Sequence, residues 1–162
     1  MCEKRTLYLG LGTNQGNKEM NLTRAIELLS LAFGHCTAKS AFIETAPWGF
    51  NSNNTFLNCC IAFDTTLQPL QILDITERIE RELGRTTKST GGTYHDRIID
   101  IDILLYGSET ISTERLTIPH PLMHQRLFVL QPLAQIADNI THPTLHKTIG
   151  ELLTELQQSE SR

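Results

Sequence analysis

An apolar strand with two acids set into it leaves the rest of this chain few options. Residues 94–107 read Y-H-D-R-I-I-D-I-D-I-L-L-Y-G. Side chains on a strand alternate between faces, so Ile99, Ile101, Ile103 and Leu105 are expected to point one way and Asp100, Asp102 and Leu104 the other. The isoleucine face has to be core. Two carboxylates on the opposite face each cost several kcal/mol to bury as free anions unless paired or bound to a cation. An all-oxygen ligand set favours Mg2+ over zinc, and Mg2+ commonly takes one or two carboxylates together with substrate phosphates and water. The pattern fits a platform for a metal-bound nucleotide. It also fits a half-exposed strand whose outer face carries two solvated acids.

Elsewhere the periodicities alternate between strand and helix. Leu7, Leu9 and Leu11 alternate with Tyr8, Gly10 and Gly12, which predicts a first strand running into a turn at residues 12–14. Leu22, Ala25, Ile26, Leu29, Ala32 and Phe33 fall at helical spacing over residues 18–33, with Gly34 as the stop. Residues 35–44 read as one strand ended by Pro47, and 55–65 as another, with Phe56 and Asn58 on one face and Leu57, Cys59 and Ile61 on the other. A second helix is expected from Pro69 to Gly84, its charges Glu77, Arg78, Glu80, Arg81 and Glu82 forming a solvated face. Residues 111–118 have room for one or two short strands. Thr148-x-x-Glu151 is a capping box in front of Ile149, Leu152, Leu153 and Leu156, which predicts a last helix. No repeat or linker interrupts this order, so one domain over residues 1–162 is expected.

Composition narrows the function classes. With 162 residues, 40% hydrophobic and 20% charged, the chain can build one real core. A formal net charge of −4 argues against a general nucleic-acid or membrane-surface binder, and no run approaches the roughly 18 apolar residues of a membrane span. Of the four cysteines none forms C-x-x-C, and adjacent Cys59 and Cys60 would face opposite sides of a strand, so free thiols in a reducing cytoplasm are expected. The first strand is followed by neither G-x-G-x-x-G nor a P-loop, which argues against a Rossmann fold. His120 and His124 lack H-E-x-x-H and are flanked by Pro119 and Pro121, which argues against a helical zinc pair. The small, polar, glycine-containing segment 85–93 and the cations Arg85, Lys88 and Arg97 bracket the two acids, an arrangement that suits a phosphate-bearing ligand. Ordinary surface ion pairs would use the same residues.

Several motifs in collinear order carry a resemblance. L-G-T-N at 11–14, E-T-A-P-W-G at 44–49, F-L-N at 56–58, G-R at 84–85, R-I-I-D-I-D-I-L-L-Y-G at 97–107 and I-P-H-P-L-M-H-Q-R-L-F-V-L-Q-P-L at 118–133 span most of the chain. Together they resemble the 6-hydroxymethyl-7,8-dihydropterin pyrophosphokinases of the folate pathway. The resemblance implies an α+β, ferredoxin-like fold: an antiparallel sheet with helices packed on one face, in β-α-β-β-α-β order. It also implies a reaction in which MgATP and the hydroxymethyl dihydropterin give the pterin diphosphate and AMP, with two Mg2+ ions held by Asp100 and Asp102.

By matched position, the resemblance makes Arg85 and Arg97 phosphate-contacting and catalytic together with Asp100 and Asp102. Lys88, His120 and Arg126 join the two arginines around ATP, and Thr45, Pro47, Trp48, Phe56, Asn58 and Phe128 form the pterin pocket. Segment 84–97 departs from the family: it is two residues longer, poorer in arginine, and has Tyr94 in place of a Trp. Trp48 stands where the family often has a smaller apolar residue. The expected partners are the two small substrates, with neither nucleic acid nor membrane, and the expected enzyme is a cytoplasmic monomer. A noncatalytic module of the same topology would have no use for an Asp-x-Asp strand between arginines. An RNA-recognition module would carry aromatics and a basic surface rather than acids.

Overall fold

The computed structural model describes residues 3–45, 55–84 and 98–160. Alternating Leu7, Leu9 and Leu11 build β1 (Arg5–Thr13), which continues one residue past the glycine where the turn was expected. The turn follows at residues 14–17, where Gly16 takes φ 63°. The Asn17 side chain then accepts the Met20 amide and starts α1 (Lys18–Phe33), and Gly34, at φ 99°, ends it by donating to the Ser30 carbonyl.

β1 is flanked by antiparallel β4 (Phe56–Thr65) on one side and antiparallel β5 (Asp100–Tyr106) on the other. The strand read over residues 35–44 is two short strands, β2 (Cys36–Lys39) and β3 (Ile43–Thr45), both antiparallel to β4. Ser40 saturates the interruption: its amide donates to the Cys60 carbonyl and its hydroxyl accepts the Cys60 amide, both at 2.9 Å, while the Ala41 amide donates to Gln135 Oε1 at 2.8 Å. The sheet order β2-β4-β1-β5 is that of a ferredoxin-like fold.

α1 and α2 (Pro69–Gly84) cover one face of the sheet. Between them and the strands lie Leu7, Leu9 and Leu11, Ile61 and Phe63, and Ile99, Ile101 and Ile103, packed on Leu22, Leu29, Ile72 and Ile79. Each such side chain contributes roughly 1.5–3 kcal/mol by leaving water. Helices are not confined to that face. α3 (Leu127–Ala137) and α4 (Ile149–Glu160) lie on the other, where Tyr8, Cys60, Leu104 and Leu105 pack on Met123, Leu130, Leu133 and Leu152. The expected capping box forms: the Glu151 amide donates to Thr148 Oγ1 at 3.1 Å and the Thr148 amide to Glu151 Oε1 at 2.9 Å.

The alternation read along 99–105 holds as far as Leu104 and fails at Leu105. The β1–β5 register shifts between Tyr8 and Leu9, pairing Leu9 with Ile103 but Tyr8 with Leu105, so Leu104 is an extra residue. Leu104 and Leu105 both join the α3/α4 side, and Tyr106 turns back to the α1/α2 side. There its hydroxyl lies 2.6 Å from the Leu67 carbonyl. Beyond β5, the hairpin of β6 (Ile111–Ser112) and β7 (Thr117–Ile118) leads through a cis Ile118–Pro119 bond and a 3-10 turn (Met123–Gln125) into α3. Cys36, Cys59 and Cys60 are free thiols, with Cys59 and Cys60 on opposite faces. Burial pushes the Cys59 thiol up to about 12 and that of Cys60 well above its usual value. Among the described residues no helix is long and apolar enough to cross a membrane.

Candidate active site

Two rows cross the sheet on its α3/α4 side. Asn58 on β4, Gly12 on β1 and Asp100 on β5 are register partners, and so are Cys60, Gly10 and Asp102. Strands lie about 4.8 Å apart, which puts Asn58 and Asp100 about 10 Å from each other at the backbone. Gly12 lays no side chain between them. A Cβ there would stand 2.8 Å from Asn58 Oδ1 and 4.0 Å from Phe56 Cδ1, so the glycine keeps space for the Asn58 amide. Gly10 is covered by Leu104, whose Cδ1 lies 3.3 Å from where a Cβ would be. The hydrophobic cover therefore stops one row short of Gly12.

At the β4 end of the first row, Asn58 is 4% exposed and donates through Nδ2 to Thr45 Oγ1 at 2.8 Å. Thr45 is the register partner of Phe56, which is half-buried and belongs to neither apolar cluster. Three of the residues expected around the pterin are thus brought together. Phe128 sits in the first turn of α3, half-buried against the second cluster, with the Arg126 guanidinium carbon 5.6 Å from its ring centre. α3 contacts β3 as well as β4.

At the β5 end, Asp100 and Asp102 are both half-buried on one face, as the alternation requires. The Ile101 amide between them donates to Glu80 Oε2 of α2 at 2.8 Å. Glu80 therefore does more than belong to a solvated face. Among the described residues no group of three or more His, Cys, Asp or Glu is placed to hold a metal. Two carboxylates alone do not make a protein cage. They do fit Mg2+, whose remaining positions are usually water and substrate phosphate.

His120 follows the hairpin. Its amide donates to the Leu104 carbonyl at 3.0 Å and its Nδ1 accepts the Leu122 amide at 3.2 Å, so a neutral ring carries its proton on Nε2. Burial, followed by the Arg126 cation, lowers its pKa, and Asp100 pulls the other way. The ring is kept neutral with a donor to offer. It also lines a cavity of about 360 Å³ with Ile118, Pro121, His124, His142 and Leu145. His124 and His142 meet edge to face, 6.4 Å between centres, and His142 Nδ1 is already occupied by the Thr144 and Leu145 amides.

Pro47, Trp48, Arg85, Lys88 and Arg97, together with the lengthened segment around Tyr94, lie outside the described residues. Sequence reasoning missed Gly12 and Glu80 as parts of the site. The signal for Gly12 was present, because alternation with Leu9 and Leu11 puts it on the face of the acids. Nothing in the sequence distinguishes Glu80 from Glu77 or Glu82.

The family model for 7,8-dihydro-6-hydroxymethylpterin-pyrophosphokinase matches residues 8–138. A 2-amino-4-hydroxy-6-hydroxymethyldihydropteridine pyrophosphokinase of Porphyromonas gingivalis is 48% identical over 141 residues, 86% of this chain and 92% of its own length. The Bacillus subtilis protein of that name is 42% identical over 134 residues, 82% of this chain and 78% of its own. The crystal structure of Plasmodium falciparum HPPK-DHPS superposes with a TM-score of 0.75 at 17% identity, over 96% of this chain. This chain spans 45% of that longer one, and the likeness is one of fold.

Proposed function

We propose that this chain, which belongs to the 7,8-dihydro-6-hydroxymethylpterin-pyrophosphokinase family, transfers the pyrophosphoryl group of ATP to the hydroxymethyl oxygen of 6-hydroxymethyl-7,8-dihydropterin. The products are the pterin diphosphate and AMP, a step of folate biosynthesis. The observation that carries this to the residues is the row Asn58–Gly12–Asp100, with a side-chain amide at one end, a carboxylate at the other and a bare backbone between.

The bicycle binds at the β4 end. Phe56 and Phe128 offer faces, the Asn58 and Thr45 side chains read polar edges, and Pro47 and Trp48 complete the wall. The hydroxymethyl oxygen then points along the row toward β5. There Asp100 and Asp102 would hold Mg2+, two ions in our reading, and when bound these neutralise charge on the phosphates. His120 donates from Nε2 and Arg126 from its guanidinium to the triphosphate, and Arg85, Lys88 and Arg97 add further cations. The substrate hydroxyl attacks the β-phosphorus of ATP as AMP leaves. Such transfers depend on positioning and charge neutralisation more than on covalent help, and that is what these residues offer.

Residues 1–162 act as one catalytic domain, monomeric and cytoplasmic, in keeping with the free thiols of Cys36, Cys59 and Cys60. Incubation with MgATP and the hydroxymethyl dihydropterin tests the activity. AMP and pterin diphosphate should appear in equal amounts and only when both substrates are present. ADP as product, or AMP without the pterin, would reject the reading.

A further inference from the structure

Among the described residues β5 is an edge strand, with β1 its one strand partner in the sheet. The Ile101 amide points to the other side, since it donates to Glu80 Oε2 at 2.8 Å rather than to β1. Hydrogen-bonding direction alternates along an antiparallel strand, which leaves the neighbours Asp100 and Asp102 to face β1 at Gly12 and Gly10. The backbone that spaces the two acids is thus held from both sides, by β1 at each Asp and by a carboxylate midway between them. Water could satisfy an edge amide, so closing the ladder does not by itself require a carboxylate delivered from α2.

We infer that Glu80 is a positioning residue, which through the Ile101 amide sets the spacing of Asp100 and Asp102 for a divalent cation. The inference rests on the functional reading above, in which those two acids hold the metal. It assigns no contact between Glu80 and the ion. Ligands held by hydrogen-bonded supports bind metal more tightly, and loss of such a support typically costs 10–100-fold in affinity.

The probe is Mn2+, titrated by electron paramagnetic resonance against the full chain with a non-hydrolysable ATP analogue, beside a melting curve and hydrogen exchange at the Ile101 amide. Glu80→Ala should weaken Mn2+ binding by about 10–100-fold and speed exchange at Ile101, while the melting temperature moves by no more than about 4 °C. Glu80→Gln retains an acceptor oxygen and should stay within about threefold of wild type, because the inference concerns placement rather than charge. Mn2+ affinity in Glu80→Ala within twofold of wild type overturns it, and so does a Glu80→Gln variant as weak as Glu80→Ala. Should Glu80→Ala fail to fold, Glu80→Asp, one methylene short of the amide, must show the same weakening, and wild-type affinity there overturns the inference. A wild-type chain that binds no Mn2+ removes the functional reading and this inference with it. Wild type that binds alongside an unaffected Glu80→Ala removes this inference alone.

Discussion

At the scale of single residues, Gly12 and the histidines make the sharpest claims. A methyl group on Gly12 would come within 2.8 Å of Asn58 Oδ1, closer than real contacts of this kind, so the Asn58 amide has to shift at the expense of its bond to Thr45. Leaving a buried polar group unsatisfied costs about 1–3 kcal/mol, and Gly12→Ala should therefore weaken pterin binding by roughly 10–100-fold. Calorimetry with an ATP analogue should give near wild-type affinity for the same variant, and equal losses for both ligands would count against the pocket. His142 makes a claim about pH. It is 4% exposed, its Nδ1 accepts the Thr144 and Leu145 amides, and burial, then His124 and His146, hold its pKa below the usual imidazole value. A base whose folded pKa is depressed is protonated first in the unfolded chain. The stability it contributes is complete above the unfolded value near 6.5 and is lost as pH falls from there through the folded pKa. His120 adds in the same direction. The melting temperature should drop between pH 7 and pH 5, and drop less in His142→Asn, which keeps a side-chain acceptor that does not titrate there.

Elements differ in how plainly their residues announce them. α1 and α4 were legible because each joins helical spacing to a cap, Asn17 with Gly34 and Thr148 with Glu151. Thr148→Ala should cost about 1 kcal/mol, read as a melting temperature lower by about 2–4 °C with AMP formation unchanged, since α4 lies outside the site. The Glu151 carboxylate, held below its usual range by the Thr148 amide and hydroxyl, should lose its part in this cap as pH falls through that lowered value. α3 was not legible. Buried Val129, Leu130, Leu133 and Ala137 are nearly continuous with half-buried Leu127 and Phe128, so no polar face marks a period, and Pro132 reads as a breaker. The break between β2 and β3 was hidden for a related reason: Gln135, from that unseen helix, accepts the amide that the interruption frees. The extra residue at Leu104 leaves an apolar run apolar, so only pairing with β1 reveals that Leu105 changes face. Phe56 and Phe128, which look alike in sequence, are separated by these elements. Among the described residues Phe56 joins neither buried cluster, whereas Phe128 packs against one of them. Phe56→Ala should weaken pterin binding with little change in melting temperature, whereas Phe128→Ala should lower both.

For the whole molecule, the β-α-β-β-α-β order followed from the spacing of apolar residues and the antiparallel sheet from the family resemblance, but the division of the outer face followed from neither. α1 and α2 cover one side of the sheet completely enough to supply a core. Among the described residues α3 and α4 cover the other as far as the row of Cys60 and Gly10, which ends in Asp102, and Asn58, Gly12 and Asp100 form the next row. Stability and function are thereby assigned to different parts of one sheet. Asp100 and Asp102 test the division because their strand serves both, with Ile99, Ile101 and Ile103 in the core and the carboxylates on the working face. Changing either to Asn keeps the side-chain volume and leaves the isoleucine face untouched, so no cavity opens. The amide also gives up the anionic oxygens that Mg2+ prefers, and the lost charge neutralisation is worth several kcal/mol in the transition state, on the order of 10³-fold in rate. Asp100→Asn and Asp102→Asn should each melt close to the wild-type temperature while AMP formation falls by that order. A variant that melts well below wild type would place the acids in the structural framework, and one that turns over normally would remove them from the site.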